Sequence, residues 1–389
     1  MTNPKKILLV FPHNFFESGS GVQKRFFELV SYLKGRGFSI DLLGLKHFES
    51  NWNNFDLENS GKLIDQLYLY NFRTGYHKQL LRSVLSSLKF FLTGKRGQSI
   101  NEIPDYAFPG MITLFQKTLR KTNYEYVIIG YIYWANLLKK NIPVNTIKVL
   151  TAEDFISRKL FENNTGYCSM EDLMTEEIDR VNLFDKVICI SYEELQILSA
   201  RAGNPEFYYV PVFMNEPAKV NQKKEFDILF IGSDNSDNIE GLEWFFKNVY
   251  PLLHRDLNIL VVGRISRYAP DLSNVKKMDF IPHAGEIYSK VKISVNPLQK
   301  GTGMKVKVVE SLAYGTPIVS TSRGLCGIPP EILEKFIIAN DPTCFAEEIH
   351  HLLTDETWYD NQCREAKKIF ISYFETGVVK KQLDKVFSD

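Results

Sequence analysis

Short apolar runs alternate with amphipathic stretches along the whole chain, and the alternation restarts once. Ile7, Leu8, Leu9, Val10 and Phe11 form an unbroken apolar run stopped by Pro12, the pattern of a parallel strand buried on both faces. A polar, glycine-bearing loop over residues 14–21 follows. From residue 22 onward Phe26, Phe27, Leu29, Val30 and Leu33 recur at helical spacing, and Gly35 and Gly37 end that helix before a strand at 39–43. Strand, glycine loop, helix and strand make the opening unit of a doubly wound α/β sheet. Further strands are predicted at 67–70, 126–129, 147–150 and 186–190, with helices between them. Residues 208–217 carry prolines, and 218–225 are polar and rich in lysine. The alternation then resumes with a strand at 226–231, a polar loop at 232–238 and a helix at 241–253. Strands at 257–262, 275–280, 293–296 and 317–320 follow, and 346–353 and 358–387 read as helices.

The predicted fold class is therefore α/β, with two doubly wound, Rossmann-like domains. The expected boundaries are 1–215 for the first domain, 216–225 for a linker and 226–368 for the second, with a helix at 369–389 expected to pack back on the first. Ligands of such sheets bind outside the carboxyl ends of the strands, so a cleft between the two domains is the expected site.

A length of 389 residues suits two cores better than one. The 47 basic and 46 acidic side chains leave a net charge of +1, which argues against a nucleic-acid partner. The 5 cysteines include no Cys-x-x-Cys pair, so neither a disulfide framework nor a zinc ribbon is expected, and a reducing compartment fits. The most apolar run, 127–138, is too short to span a bilayer, and no secretion signal opens the chain. The expected location is cytoplasmic, including the inner face of a membrane. Residues 76–96 mix apolar side chains with Lys78, Arg82, Lys89, Lys95 and Arg96. That pattern suits a helix with a solvated basic face or peripheral docking on an anionic membrane.

The sharpest chemical signal runs from Gly301 through Gly303, Met304, Lys305, Lys307 and Glu310 to Gly315. It is a glycine loop opening a helix that stops before an apolar strand. Glycines allow an anion close to backbone N–H groups, and a helix N-terminus favours negative charge. Lys305 and Lys307 put two ammonium groups in the predicted first turn, where the helix dipole disfavours them unless an anion is bound. Glu310 follows Lys307 by three residues on the same face, placed to accept hydrogen bonds from ribose hydroxyls. The plainer alternative is a solvated helix with a Lys–Glu pair.

The stretch from Gly301 to Thr321 resembles the nucleotide-binding helix of the family 4 (group 1) glycosyltransferases of GT-B fold. The resembling subgroup carries a Gly-x-Gly-x-Lys-x-Lys-x-x-Glu motif. Ile231, Gly232 and Ser233, followed by residues 238–245 and Pro251, are similar to that subgroup's second-domain opening, and residues 19–25, with Gly19 and Gly21, resemble its first glycine loop. The resemblance implies retaining transfer of a sugar from a UDP- or GDP-type nucleotide-sugar donor to a glycan, lipid-linked or other acceptor. It implies no cofactor and no bound metal. No Asp-x-Asp occurs in the chain, Asp56-Leu57-Glu58 being the nearest substitute, and the 7 histidines lack zinc spacing. The donor-site residues it implies are Gly21, Gly232, Ser233, Arg264, Ile281, Gly303, Met304, Lys305, Lys307 and Glu310.

Two departures from the wider family stand out. Many members place an arginine directly after the glycine of the first second-domain strand and a lysine five residues on, to meet the departing diphosphate. Here those positions are Ser233 and Asn238. Lys305 and Lys307 are the natural replacements, and Arg264 is either a third cation or a surface residue after a strand. Relatives also carry His-Asp near the reacting sugar, where this chain has Glu153 and Asp154. These carboxylates are candidates for hydrogen bonding the sugar, for assisting the acceptor as a base, or for simply capping a helix. They are also the candidate nucleophiles if retention proceeds by double displacement rather than same-face attack. Two other readings stay open: a non-catalytic nucleotide-sugar-binding subunit, and an epimerase of the same fold. Residues 280–286 are expected to line the nucleobase, with His283 among them. Tyr131, Tyr133 and Trp134 suit either stacking on a sugar face or burial in the core.

Overall fold

The computed structural model describes residues 4–16, 21–46, 50, 52, 55, 57–58, 61–71, 103–163, 169–218, 222–279 and 284–388. Gly19 and Ser20 of the first glycine loop, Asp56, the basic stretch 76–96, and Phe280 to His283, including Ile281, lie outside the described residues.

The chain divides into two compact units, Met1–Ile190 with Glu194–Tyr209, and Ser191–Glu193 with Val210–Asp389. Among the described residues the first unit holds a seven-stranded sheet. Its strands are β1 (Lys6–Val10), β2 (Ser39–Lys46), β3 (Gln66–Asn71), β4 (Tyr126–Gly130), β5 (Ile147–Ala152), β6 (Lys186–Cys189) and β7 (Glu206–Tyr209). They lie in the order β3-β2-β1-β4-β5-β6-β7, every pair parallel. Successive side chains of a strand face opposite ways, and here both faces are covered. Leu8 and Val10 join Val127, Ile129, Met111, Phe115 and Leu173 in one core. Phe11 stacks on Phe26 of the helix Gly21–Gly35, with ring centroids 3.8 Å apart.

The second unit holds a six-stranded parallel sheet made of β8 (Phe226–Ile231), β9 (Ile259–Val262), β10 (Val275–Met278), β11 (Val291–Asn296), β12 (Ile318–Ser320) and β13 (Ile337–Ile338). The order is β10-β9-β8-β11-β12-β13. Phe230, Leu242, Phe245, Val261, Ile293 and Phe345 form its main core.

Local structure departs from the sequence reading in four places. The stretch 208–217, read as the approach to a linker, begins inside β7, a half-buried edge strand too short to show a period. The predicted helix 241–253 is Ser236–Trp244, started by Asn235 accepting the Asn238 N–H at 2.9 Å, and continues as one wide turn, Phe245–Val249. The 358–387 helix is broken by a similar wide turn at Phe370–Phe374 into Glu356–Ile369 and Thr376–Val386. Finally, the sequence places the end of the first domain at 215 and expects the helix at 369–389 to pack back on it, and the second compact unit runs from Val210 onward. Met214 bridges to both sides of Glu375: its N–H donates to Phe374 O at 3.2 Å and its carbonyl accepts from Thr376 N at 3.1 Å. Val379, Leu383 and Val386 of the last helix are buried.

Each sheet reverses its strand order once, between β1 and β4 in the first unit and between β8 and β11 in the second. Loops leaving neighbouring strands at such a reversal diverge to opposite faces and open a crevice at the carboxyl ends. Among the described residues no helix is long and apolar enough to cross a membrane.

Candidate functional site

In the second unit the loops after β8 and β11 flank the reversal. After β11 the chain turns at Gly301 and Gly303, whose φ angles of 110° and 72° lie where a side chain is strained. A Cβ on Gly301 would also stand 2.7 Å from the Asp237 carboxylate and 3.0 Å from Lys305 Nζ. The turn delays the helix, which begins at Val306. Lys305 is therefore its extended N-cap residue rather than part of the first turn as expected, and its Nζ donates to Thr302 O at 2.7 Å. Met304 is buried against Gly327, whose added Cβ would lie 3.1 Å from the Met304 Cβ.

Lys307 is inside the first turn, as expected. Its Nζ donates to Asn238 Oδ1 at 2.8 Å and lies 5.3 Å from the centre of the Phe230 ring. Asn238 is buried, and its Nδ2 donates to Ser233 O at 3.0 Å and to Ser233 Oγ at 3.3 Å. A Cβ on Gly232 would sit 3.0 Å from the Asn238 side chain, so the β8 end lies close against it. Burial, and then repulsion from Lys305, pull the Lys307 ammonium down to about 7, against the attraction of Glu310. Glu310 is buried one turn further along the same helix. Arg264, after β9, is exposed and donates from Nε to Asp234 Oδ1 at 2.8 Å. That bond holds the Asp234 carboxyl below its usual range.

Below this loop the strand ends are tied by buried polar groups. Asn296, the last residue of β11, donates to Gly324 O at 2.7 Å, and Ser320 Oγ donates to Asn296 O at 3.0 Å. The structure thus gathers Gly232, Ser233, Gly303, Met304, Lys305, Lys307 and Glu310 around one strand reversal, with Arg264 at its rim. Asn238, seen in the sequence only as a missing lysine, receives Lys307; Asp237 beside Gly301 was missed. Both lie about 65–70 residues away along the chain, a separation no local pattern bridges. A glycine turn, two lysines and a helix N-terminus are groups suited to an anion, and Glu310 adds a hydrogen-bond acceptor.

In the first unit Glu153 and Asp154 follow β5, and their surroundings differ. Glu153 is buried, and Arg25 of the helix Gly21–Gly35 donates from Nη1 to its Oε1. Burial raises its carboxyl above the usual range, against the pull of Arg25. Asp154 is partly exposed and accepts from Lys159 Nζ at 2.8 Å. Neither caps the helix Ile156–Asn163; buried Glu177 accepts from the N–H groups of Ile156 at 3.1 Å and Ser157 at 2.8 Å. Glu194 is also buried, and desolvation followed by the charges of Asp154, Glu177 and Glu153 drives its carboxyl well up. Arg25 was legible only as a basic residue beside the apolar stripe of its helix. Gly21 opens that helix. Among the described residues no group of three His, Cys, Asp or Glu side chains is placed to hold a metal ion.

Two parallel sheets, each reversing once, in units of similar size fit the GT-B class of fold. Residues 225–355, which hold all six strands of the second unit's sheet and the Gly301 turn, match the family model "Glycosyl transferases group 1". The chain is 27% identical over 184 residues to an uncharacterized 44.6 kDa protein in the cps region of Klebsiella pneumoniae, the match covering 43% of this chain and 46% of that protein. The match therefore spans about half the length of that curated relative. In structure the chain is similar to sucrose-phosphate synthase from Thermosynechococcus elongatus, with a TM-score of 0.71, 16% identity and 98% of each chain covered. It is also similar to a mutant of S. aureus TarM in complex with Fondaparinux, alpha-GlcNAc-glycerol and UDP, with a TM-score of 0.69, 11% identity, and 99% of this chain and 100% of that one covered.

Proposed function

We propose that the protein is a metal-independent, retaining glycosyltransferase that moves a sugar from a UDP- or GDP-type nucleotide-sugar to a glycan or lipid-linked acceptor. The observation that carries this reading is the Lys307–Asn238–Ser233 chain of hydrogen bonds beside the Gly301–Gly303 turn. It sets the Lys307 side chain beside the glycine turn at the strand reversal of the second unit, which supports a diphosphate held at the helix N-terminus. Lys305 and Lys307 take the leaving-group charge as the glycosidic bond breaks, in place of cations at 233 and 238, and Glu310 binds ribose. Glu153, enclosed with Arg25, holds the start of the helix Gly21–Gly35. Asp154, the more open carboxylate, is the group that meets a sugar hydroxyl. Same-face attack, with the donor phosphate as base, needs no enzymic nucleophile and suits a Glu153 already engaged by Arg25.

The test is a thermal-shift panel of UDP-, GDP-, ADP- and TDP-sugars, since a ligand bound only to the folded chain raises its melting temperature. One member of the panel stabilises the wild type, and the doubly substituted Lys307→Ala, Glu310→Ala chain loses that shift. Unchanged affinity in the variant would remove the site assignment. Release of nucleoside diphosphate only when an acceptor is added separates a transferase from an epimerase or a binding subunit.

A further inference from the structure

The row of aromatic side chains after β4 is the feature that the donor site leaves unused. Tyr131 follows directly on Gly130, at the strand reversal of the first sheet, and its φ of 72° is a conformation that tyrosine seldom adopts. Such a conformation is kept only where the surroundings over-determine it, and such residues concentrate at ligand sites. The ring lies nearly parallel to Phe11, with centroids 6.0 Å apart and planes 12° apart. Tyr133 continues the row at 6.1 Å and Tyr106 follows at 5.2 Å. The backbone fastens the far end, Tyr106 N donating to Tyr133 O at 3.0 Å. Burial falls steadily along the row: Phe11 is 0% exposed, Tyr131 and Tyr133 are partly exposed, and Tyr106 is 38% exposed. Trp134, the third aromatic of the segment, is 1% exposed and belongs to the core.

We propose that Tyr131, Tyr133 and Tyr106 form a stacking platform for a pyranose ring of the acceptor, with Asp154 taking its hydroxyls. This rests on the glycosyltransferase reading and names the acceptor chemistry within it. A pyranose has a face of C–H groups, which settles on aromatic rings, and an edge of hydroxyls, which needs acceptors and donors. Asp154 follows β5, the neighbour of β4, whose end is tied to it by Tyr131 N donating to Thr151 O at 3.3 Å, and burial keeps both phenols protonated as hydrogen-bond donors. A plain apolar patch lacks that polar edge; Tyr131 and Tyr133 pack against the core on one side, and the row continues outward to the exposed Tyr106.

The experiment uses the full chain and saturation-transfer NMR with the methyl glycosides of glucose, galactose, mannose and rhamnose, without nucleotide. At least one glycoside shows saturation of its ring C–H protons in the wild type and in Tyr133→Phe, which keeps the ring. Tyr133→Leu and the surface variant Tyr106→Ala bind that glycoside about 2- to 10-fold more weakly, the loss of one stacking contact. No saturation with any of the four in the wild type, or equal saturation in Tyr133→Leu and Tyr106→Ala, overturns the platform. The nucleotide-sugar thermal-shift panel is run on the same samples. Its retention in the variants shows that they are folded, and its failure in the wild type strikes the transferase reading while leaving the saccharide result to stand on its own.

Discussion

The state of Lys307 makes donor binding dependent on pH in a calculable way. In the free protein its ammonium titrates at about 7, because it is buried and Lys305 stands nearby. The facing groups are the Asn238 amide and the Phe230 ring from the β8 side, and Glu310 and Lys305 from its own segment. A bound diphosphate supplies two negative charges to this ammonium and returns it toward the ordinary lysine value of about 10.4. Binding then takes up a proton above pH 7. The affinity is fully present below pH 7 and falls as pH rises through it, by about tenfold per pH unit, or about 30-fold between pH 6 and 8.5. A nucleotide-sugar is the right probe, because its diphosphate diester does not titrate in this range as a terminal phosphate does. Titration calorimetry in two buffers of different ionisation enthalpy measures the uptake directly, about 0.9 proton per site at pH 8 and about 0.1 at pH 6. Lys307→Arg, permanently charged, abolishes the slope. A slope that persists in Lys307→Met, or a wild type whose affinity is flat over this range, would refute the argument.

Three further outcomes follow from the same contacts. Without ligand, Lys307 binds fewer protons folded than unfolded between pH 7 and the ordinary lysine value, so wild-type stability rises with pH across that window more than that of Lys307→Met, as urea unfolding would show. Gly301→Ala forces a side chain into a φ of 110° and against the Asp237 carboxylate. It costs about 1–2 kcal/mol of stability and weakens nucleotide-sugar binding, both read in one thermal-shift titration. Arg25→Met strands the buried Glu153 carboxylate and destabilises the chain by about 3–5 kcal/mol, whereas Arg25→Met with Glu153→Met recovers most of the loss. A double variant as unstable as the single one would show that the ion pair is not what the burial requires.

Much of this fold was legible because buried parallel strands write themselves as unbroken apolar runs. Residues 6–11, 126–129 and 226–231 are such runs, and all three are central in their sheets. The edge strands β7 and β13 were not legible: Phe207 to Tyr209 are only half buried, and Ile337–Ile338 is two residues long. The glycine loop was readable for a related reason, since Gly301 and Gly303 record a backbone requirement in the residue itself. What Glu153 does was hidden. A carboxylate after a strand looks the same whether it faces a substrate or an arginine, and Arg25 lies 128 residues earlier. Parallel topology brings the ends of β1, β4 and β5 together, and only then does the arginine of the first helix meet the glutamate.

The same distance in sequence couples Asn238 to Lys307, and electrostatics explains why their identities go together. Lys307 Nζ lies 2.8 Å from the Asn238 side-chain oxygen. A lysine at 238 would bring a second ammonium toward that point, and two like charges a few ångströms apart near a protein surface repel by on the order of 4 kcal/mol. Burial already lowers Lys307, and the neighbouring Lys305 lowers it further. An amide at 238 instead offers an acceptor to Lys307 through Oδ1 and, through Nδ2, fastens Ser233 at the end of β8. The two substitutions that look like losses in the sequence are thus one arrangement: Ser233 and Asn238 give up charge on the first loop and use their dipoles to hold the cation of another. Charge at this strand reversal is supplied from the helix after β11, and the β8 loop has become its support.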